Sequence, residues 1–262
     1  MISRRAVARL APLALLVVVA ALARATGSAT RLDPSRAWAT PTAAHPLGFG
    51  EAGVDLLPFV ATAVLRGVGL AAFVAAVAFA FGTVAGAAAA LRRGVAERVV
   101  ERACDLLQAF PGFLLAMVVL SAVRAPSRMH LAFVFLLTAW APFARLALAE
   151  TRVLREAAFV SAAVALGAEP REIVVRHVLP NLLGVGVVQL GATGAAIVVG
   201  EAALAFVGLG PSDGVSLGAL LDQGVAAMLR APHVLALGAA SVFVTSVALL
   251  AVGKVGGARE RA

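Results

Sequence analysis

The chain has 262 residues, 61% of them hydrophobic and 14% charged, and a formal net charge of +8. An ordinary soluble domain is about 45–50% apolar and about 25% charged, so this is not a soluble globular protein; its apolar excess comes in blocks, as in a membrane protein. Nucleic-acid binding is excluded as well, because the basic residues are scattered between those blocks, tyrosine is absent and stacking rings are few.

The elements follow in chain order. Arg4, Arg5 and Arg9 precede a short apolar run, Leu10–Ala23, marginal for a crossing. Ala21-Leu22-Ala23 also has the small residues of a signal-peptidase site, so the run reads as an uncleaved anchor or, less favoured, a removable signal. Residues 24–66 are rich in Pro, Thr and Gly and read as an extended external loop, with 50–65 an amphipathic lead into the next span. Val68–Ala90 carries no charge and is long enough to span. Residues 92–105 carry charges at helical spacing, which predicts a solvated helix face with i,i+4 pairs. Asp105 is placed to cap the following span, Leu106–Val123, whose first turns Pro111 and Gly112 should kink. Leu131–Ala149 spans if Arg145 snorkels to a headgroup, and Leu182–Gly200 and Val234–Gly253 complete about six spans. Gly82 and Gly86 form G-x-x-x-G, which lets helices approach closely in lipid.

Lys and Arg orient the bundle. With the N-terminus inside, the outer segments hold only Arg24, Arg31, Arg36, Arg66, Arg124, Arg128 and Arg230, and the rest of the 22 basic residues lie inside. Both termini and the polar 155–181 segment are then cytoplasmic. That segment predicts a helical hairpin. Thr151–Leu166 is rich in alanine, Gly167 suits a C-terminal cap, Pro170 opens a second short helix, and Pro180 ends it before Asn181 leads into the next span. Its small residues leave a low-relief surface that another protein can approach.

Cys104 is the only cysteine, which excludes an intrachain disulfide and a thiolate cluster. The four histidines have no ligand spacing, no metal site is expected, and no nucleophile–base arrangement is visible. The chain lacks the phosphate-cradling G-x-x-x-x-G-K-[ST], so it should bind no ATP itself.

At this point the chain resembles a known family, the inner-membrane permeases of binding-protein-dependent ABC importers of the dipeptide/oligopeptide/nickel type. Their cytoplasmic loop reads E-A-A-x3-G-x9-I-x-L-P. Here Gly167, Leu179 and Pro180 fall at that spacing, and the first three positions are Ser161, Ala162 and Ala163. The literal Glu156-Ala157-Ala158 is five residues out of register. Ser161 stands for Glu and His177 for Ile, while Arg176–Asn181 is similar to the family's R-H-I-L-P-N. Asp105–Pro111 resembles its D-x-L-x-A-F-P, Gly200–Gly210 its E-A-x-L-S-F-L-G-L-G, and His45-Pro46-Leu47-Gly48 with Asp55 its H-x-L-G-T-D without the T-D pair. The small external loop is that of the shorter of the two permease types.

The resemblance implies an all-α polytopic transmembrane bundle of type I importer architecture in a bacterial inner membrane. Residues 1–66 would form an anchor and external loop, 67–254 the permease core with a coupling loop at 151–181, and 255–262 a short cytoplasmic tail. It implies a non-enzymatic permease that imports peptides, nickel or related solutes, with ATP hydrolysed elsewhere. The partners would be a second permease (the same chain or another), two ATP-binding subunits, an external solute-binding protein and membrane lipid. Ser161, Ala162, Ala163, Gly167, His177, Leu179 and Pro180 would form the surface that the ATPase grips. Glu201, Phe110 and Pro111 are candidate path or gate residues; Glu201 could equally be a headgroup-level acid paired with Arg230. A secondary transporter or channel would need charge in mid-span or paired broken helices, and the span interiors are nearly charge-free. A non-transporting scaffold would have no use for Gly167 and Leu179-Pro180 at this spacing.

Overall fold

Segments in hydrocarbon must satisfy their own backbone N–H and C=O groups, so the apolar blocks of this chain become helices. The computed structural model describes residues 4–158, 165, 167, 172, 176 and 179–253, and among these there is no β-strand. The helices are α1 (Arg4–Arg24), α2 (Leu56–Arg92), α3 (Gly94–Ala109), α4 (Gly112–Ser121), α5 (Arg128–Leu154), α6 (Leu179–Phe206), α7 (Leu217–Ala226) and α8 (Pro232–Gly253). The fold is the expected all-α polytopic bundle.

The span count differs from the expected six. Among the described residues α2, α5, α6 and α8 are long and apolar enough to cross a membrane, and α3 with α4 adds a fifth if a bent pair is one span. The apolar part of α1, Leu10–Arg24, falls short of a full crossing. The expected span Leu106–Val123 is not one helix, since α3 and α4 meet at 78°. Pro111 is the cause. It has no N–H for the ladder, and it drives the preceding residue out of the α region; Phe110 sits at φ −82°, ψ 133°. Asp105 therefore caps nothing. It lies inside α3 and pairs with Arg145 of α5 and, at 3.7 Å, with Arg102. Arg145 thus finds its partner within the protein rather than at a headgroup.

α2 begins at Leu56, well before Val68, because Asp55 caps it by accepting from the Leu57 N–H at 3.0 Å. Its 37 residues reach about 55 Å. The connection from α1 folds back on itself instead of extending. The Trp38 N–H donates to the Gly50 carbonyl (3.2 Å), Phe49 to Ala39 (2.9 Å) and Leu56 to Gly48 (3.1 Å). Gly48 turns the chain at φ +74°, where a Cβ would lie 2.6 Å from the Ala39 carbonyl oxygen. Asp55 also accepts from His45 Nδ1 at 2.6 Å, so one carboxylate ties this connection to the start of α2.

α2 makes its most extensive contact with α5. Gly82 and Gly86 lie against the backbone of Trp140 and Ala144, so the G-x-x-x-G pair admits α5 to the surface of α2. Gly191 plays the same part between α6 and α8, where a Cβ would come within 2.7 Å of the Gly253 nitrogen. Leu56, Phe59, Leu120, Leu131, Leu204 and Val234 share the main buried cluster. Cys104 is 1% exposed, packed with Ala141 and Ala144.

The expected hairpin changes at both ends. α5 continues to Leu154 and then turns at Arg155 and Glu156, so Thr151 belongs to the span and not to a separate helix. Pro180 does not end a helix. It lies in the first turn of α6, where a missing N–H costs no intrahelical bond.

Candidate coupling site and substrate path

Two regions are candidates for function, the loop after α5 with its root and a cavity among α4, α5 and α6. At the root, Arg152 and Arg155 stand three residues apart on α5 and its last turn, hence on one face. Arg152 donates through Nε to Glu97 Oε1 at 2.5 Å and through Nη2 to Glu101 Oε2 at 3.0 Å. Arg155 Nη1 donates to the Ala90 carbonyl near the end of α2 at 2.7 Å and reaches Glu97 Oε2 at 3.5 Å. Arg93, which separates α2 from α3, pairs with Glu156 at 3.4 Å. Glu97 is only 9% exposed. The expectation of a solvated face holds for Arg98 and Arg102, which are exposed, and is corrected for the two acids. Glu97 and Glu101 do share a face, but it is turned onto α5.

Within the loop, Gly167 is exposed and adopts φ +88°, and a Cβ there would meet nothing within 4 Å. Glycine is needed for the backbone conformation, not for lack of room. Ser161, Ala162, Ala163 and His177 lie outside the described residues. Leu179 opens α6, and Pro180 beside it is exposed.

Phe110 and Pro111 stand at the α3–α4 break, and Phe110 is 66% exposed. Beside them a cavity of about 460 Å³ is lined by Gly112 and Phe113 of α4, Phe135, Thr138 and Pro142 of α5, and Gln189, Thr193 and Gly200 of α6, among others. Gln189 Nε2 donates to Thr193 Oγ1 at 3.3 Å. The lining has amide and hydroxyl groups but no charged side chain. Sequence reading missed this cavity, because its few polar residues, Thr138 of α5 and Gln189 and Thr193 of α6, lie on helices far apart in the chain. The only signal was Gln189 with Thr193 four residues on, the two polar side chains of an otherwise apolar run.

Glu201 is not brought to that cavity. Its neighbour Gly200 lines it, whereas Glu201 is 5% exposed and turns to α2, where a Cβ on Gly67 would lie 3.2 Å from Oε2. Pairing with Arg230 is not found, since that guanidinium covers the Trp38 ring at 4.9 Å. Nearby, Asp213 in the α6–α7 connection accepts from Arg128 (2.7 and 3.0 Å) and Arg66 (2.9 Å). Partial burial pushes the Asp213 carboxyl up, but the hydrogen bonds from Arg128 and the Val215 N–H, with the charges of Arg128 and Arg66, bring it below the usual carboxylate value.

An apolar bundle with four or five helices able to cross a membrane, and an uncharged, half-open cavity among α4, α5 and α6, is the frame of a polytopic membrane protein, and comparison with known proteins gives its class. Residues 78–255 match the family described as binding-protein-dependent transport system inner membrane component. The chain belongs to this family and is a permease subunit of an ABC importer in the inner membrane. It is 30% identical over 214 residues to the glutathione transport system permease protein GsiD of Pectobacterium atrosepticum, covering 81% of this chain and 71% of that protein. The GsiD proteins of Escherichia coli O157:H7 and Shigella sonnei match equally, at 30% identity over 81% of this chain and 70% of theirs. ATP hydrolysis belongs to separate subunits, and such a system also contains a second permease and a solute-binding protein. The secondary-transporter and scaffold readings are not favoured. Nickel, expected beside peptides, gains no support.

Proposed function

We propose that this permease imports glutathione or peptides of similar size, and that the loop after α5 is the surface through which ATPases drive it. The substrate class draws on the glutathione transport system to which the relatives belong and on the cavity. Amide and hydroxyl groups suit a peptide backbone, and an uncharged lining tolerates varied side chains. In this reading Ser161, Ala162, Ala163, Gly167, His177, Leu179 and Pro180 meet the ATPase, the loop and both termini are cytoplasmic, and two ATP-binding subunits serve a pair of permeases. Phe110 and Pro111 flank the path at the α3–α4 break, and Glu201 helps fix the outer end of α6 against α2.

The observation that carries the reading is Gly167, an exposed left-handed turn at the spacing from Leu179 and Pro180 that the resemblance requires. The test is uptake of radiolabelled glutathione and of di- and tripeptides by proteoliposomes holding this chain, its partner permease, the ATPases and the binding protein. Gly167→Leu is expected to abolish ATP-driven uptake while the protein still inserts and assembles its helices. Normal uptake by that variant defeats the assignment of the loop.

A further inference from the structure

We infer that Glu97 and Glu101 are positioning residues that carry motion of the loop into α3 and thence to the cavity. The inference rests on the coupling role proposed for the loop, and it assigns a second set of residues to that role.

The geometry is a clasp at the point where α5 becomes the loop. Arg152 and Arg155 leave α5 on one face, and Glu97 and Glu101, one turn apart on α3, receive them. The Ala90 carbonyl takes the remaining reach of Arg155. That carbonyl lies at the negative end of the α2 dipole, where a cation is favoured. Two guanidinium groups face two carboxylates, so the clasp is charge-balanced, and Glu97 is enclosed enough that removing a partner leaves a poorly solvated charge. Displacement of the α5 terminus must therefore either break these bonds or move α3.

α3 leads somewhere specific. It runs without a break from Glu97 to Ala109 and ends at the 78° bend, beyond which Gly112 and Phe113 of α4 line the cavity. Its other charged anchor is Asp105 with Arg145, again on α5. α3 is thus an amphipathic lever held to α5 at two levels, with the apolar α4 at its far end.

The experiment compares the parent transporter with the Glu97→Gln/Glu101→Gln and Arg152→Gln variants, using two readouts. A benzophenone on Ala165→Cys, an exposed loop position, reports contact between the loop and the ATPase. Spin labels on Val118→Cys of α4 and Val188→Cys of α6, both exposed, report the change in α4–α6 distance on trapping with ATP and vanadate. In the parent, the cross-link forms and the distance shifts. In the variants, the cross-link persists within about twofold while the nucleotide-driven shift falls by about tenfold in population. Variants that keep the shift, or a parent that has none, overturn the inference. Variants that lose the cross-link reduce the clasp to a support for folding and overturn it too. A parent without the cross-link defeats the coupling role of the loop itself, and this inference with it.

Discussion

Asp213 shows how one carboxylate can hold several helices. It joins Arg66 of α2 and Arg128 at the start of α5 to the α6–α7 connection, and Arg128 adds a bond to the Val215 carbonyl at 3.0 Å. Its carboxyl is held below its ordinary value of 3.8, so the sign of the linkage is fixed. The stabilisation is fully present above that value and is lost as pH falls through the lower folded-state value. Thermal unfolding in detergent should therefore show an acid-side loss below about pH 4 that Asp213→Asn removes. At neutral pH the same variant should melt about 2–4 °C lower. An unchanged acid profile would show that the ion pairs contribute nothing there. At Gly167 the φ of +88° predicts a graded series, because asparagine tolerates the left-handed region and β-branched residues do not. Uptake should fall in the order Gly, Asn, Ala, Val.

Helices were legible where the signal is local. The long apolar runs, the G-x-x-x-G pair and the proline before Gly112 can each be read without knowing what lies across the bundle. The structure uses all three, the last with a 78° bend in place of a kink. What could not be read depends on partners distant in sequence. Glu97 and Glu101 look like one solvated face until α5 is laid against them, because helical spacing fixes which residues share a face but not what that face meets. The connection from α1 to α2 looked extended because its order comes from backbone bonds such as Phe49 to Ala39, which any sequence can make. Asp105 reads from the sequence as a helix cap and Arg145 as a residue reaching for a headgroup, and each is the other's partner. At this scale the α2–α5 contact makes the clearest prediction. A Cβ on Gly86 would strike the Ala144 backbone, so Gly86→Leu should cost at least about 1–3 kcal/mol, seen as a lower melting temperature. Gly69→Leu, where a Cβ meets nothing within 4 Å, serves as the control.

Across the whole molecule, the two candidate regions sit at different levels of one bundle and are joined by a bent pair of helices. The cavity draws its walls from α4, α5 and α6. These are the helix beyond the bend, the helix that leads into the loop and the helix that leaves it. Substrate handling should therefore separate from nucleotide use. Replacing Gln189 by leucine removes the amide that bonds Thr193 while leaving the clasp untouched. Glutathione uptake should fall by about tenfold while ATP hydrolysis by the assembled transporter persists, as expected when a site loses a hydrogen bond to its substrate. Equal loss of both activities would place Gln189 in the frame of the bundle and not in the path.

The burial of Cys104 has a practical corollary. The sole thiol of the chain is shut between α3 and α5, so a maleimide dye has nothing to react with until those helices part. Its fluorescence then counts disassembly of the lever from its support, one event per molecule, in detergent or in lipid and with the native sequence unaltered.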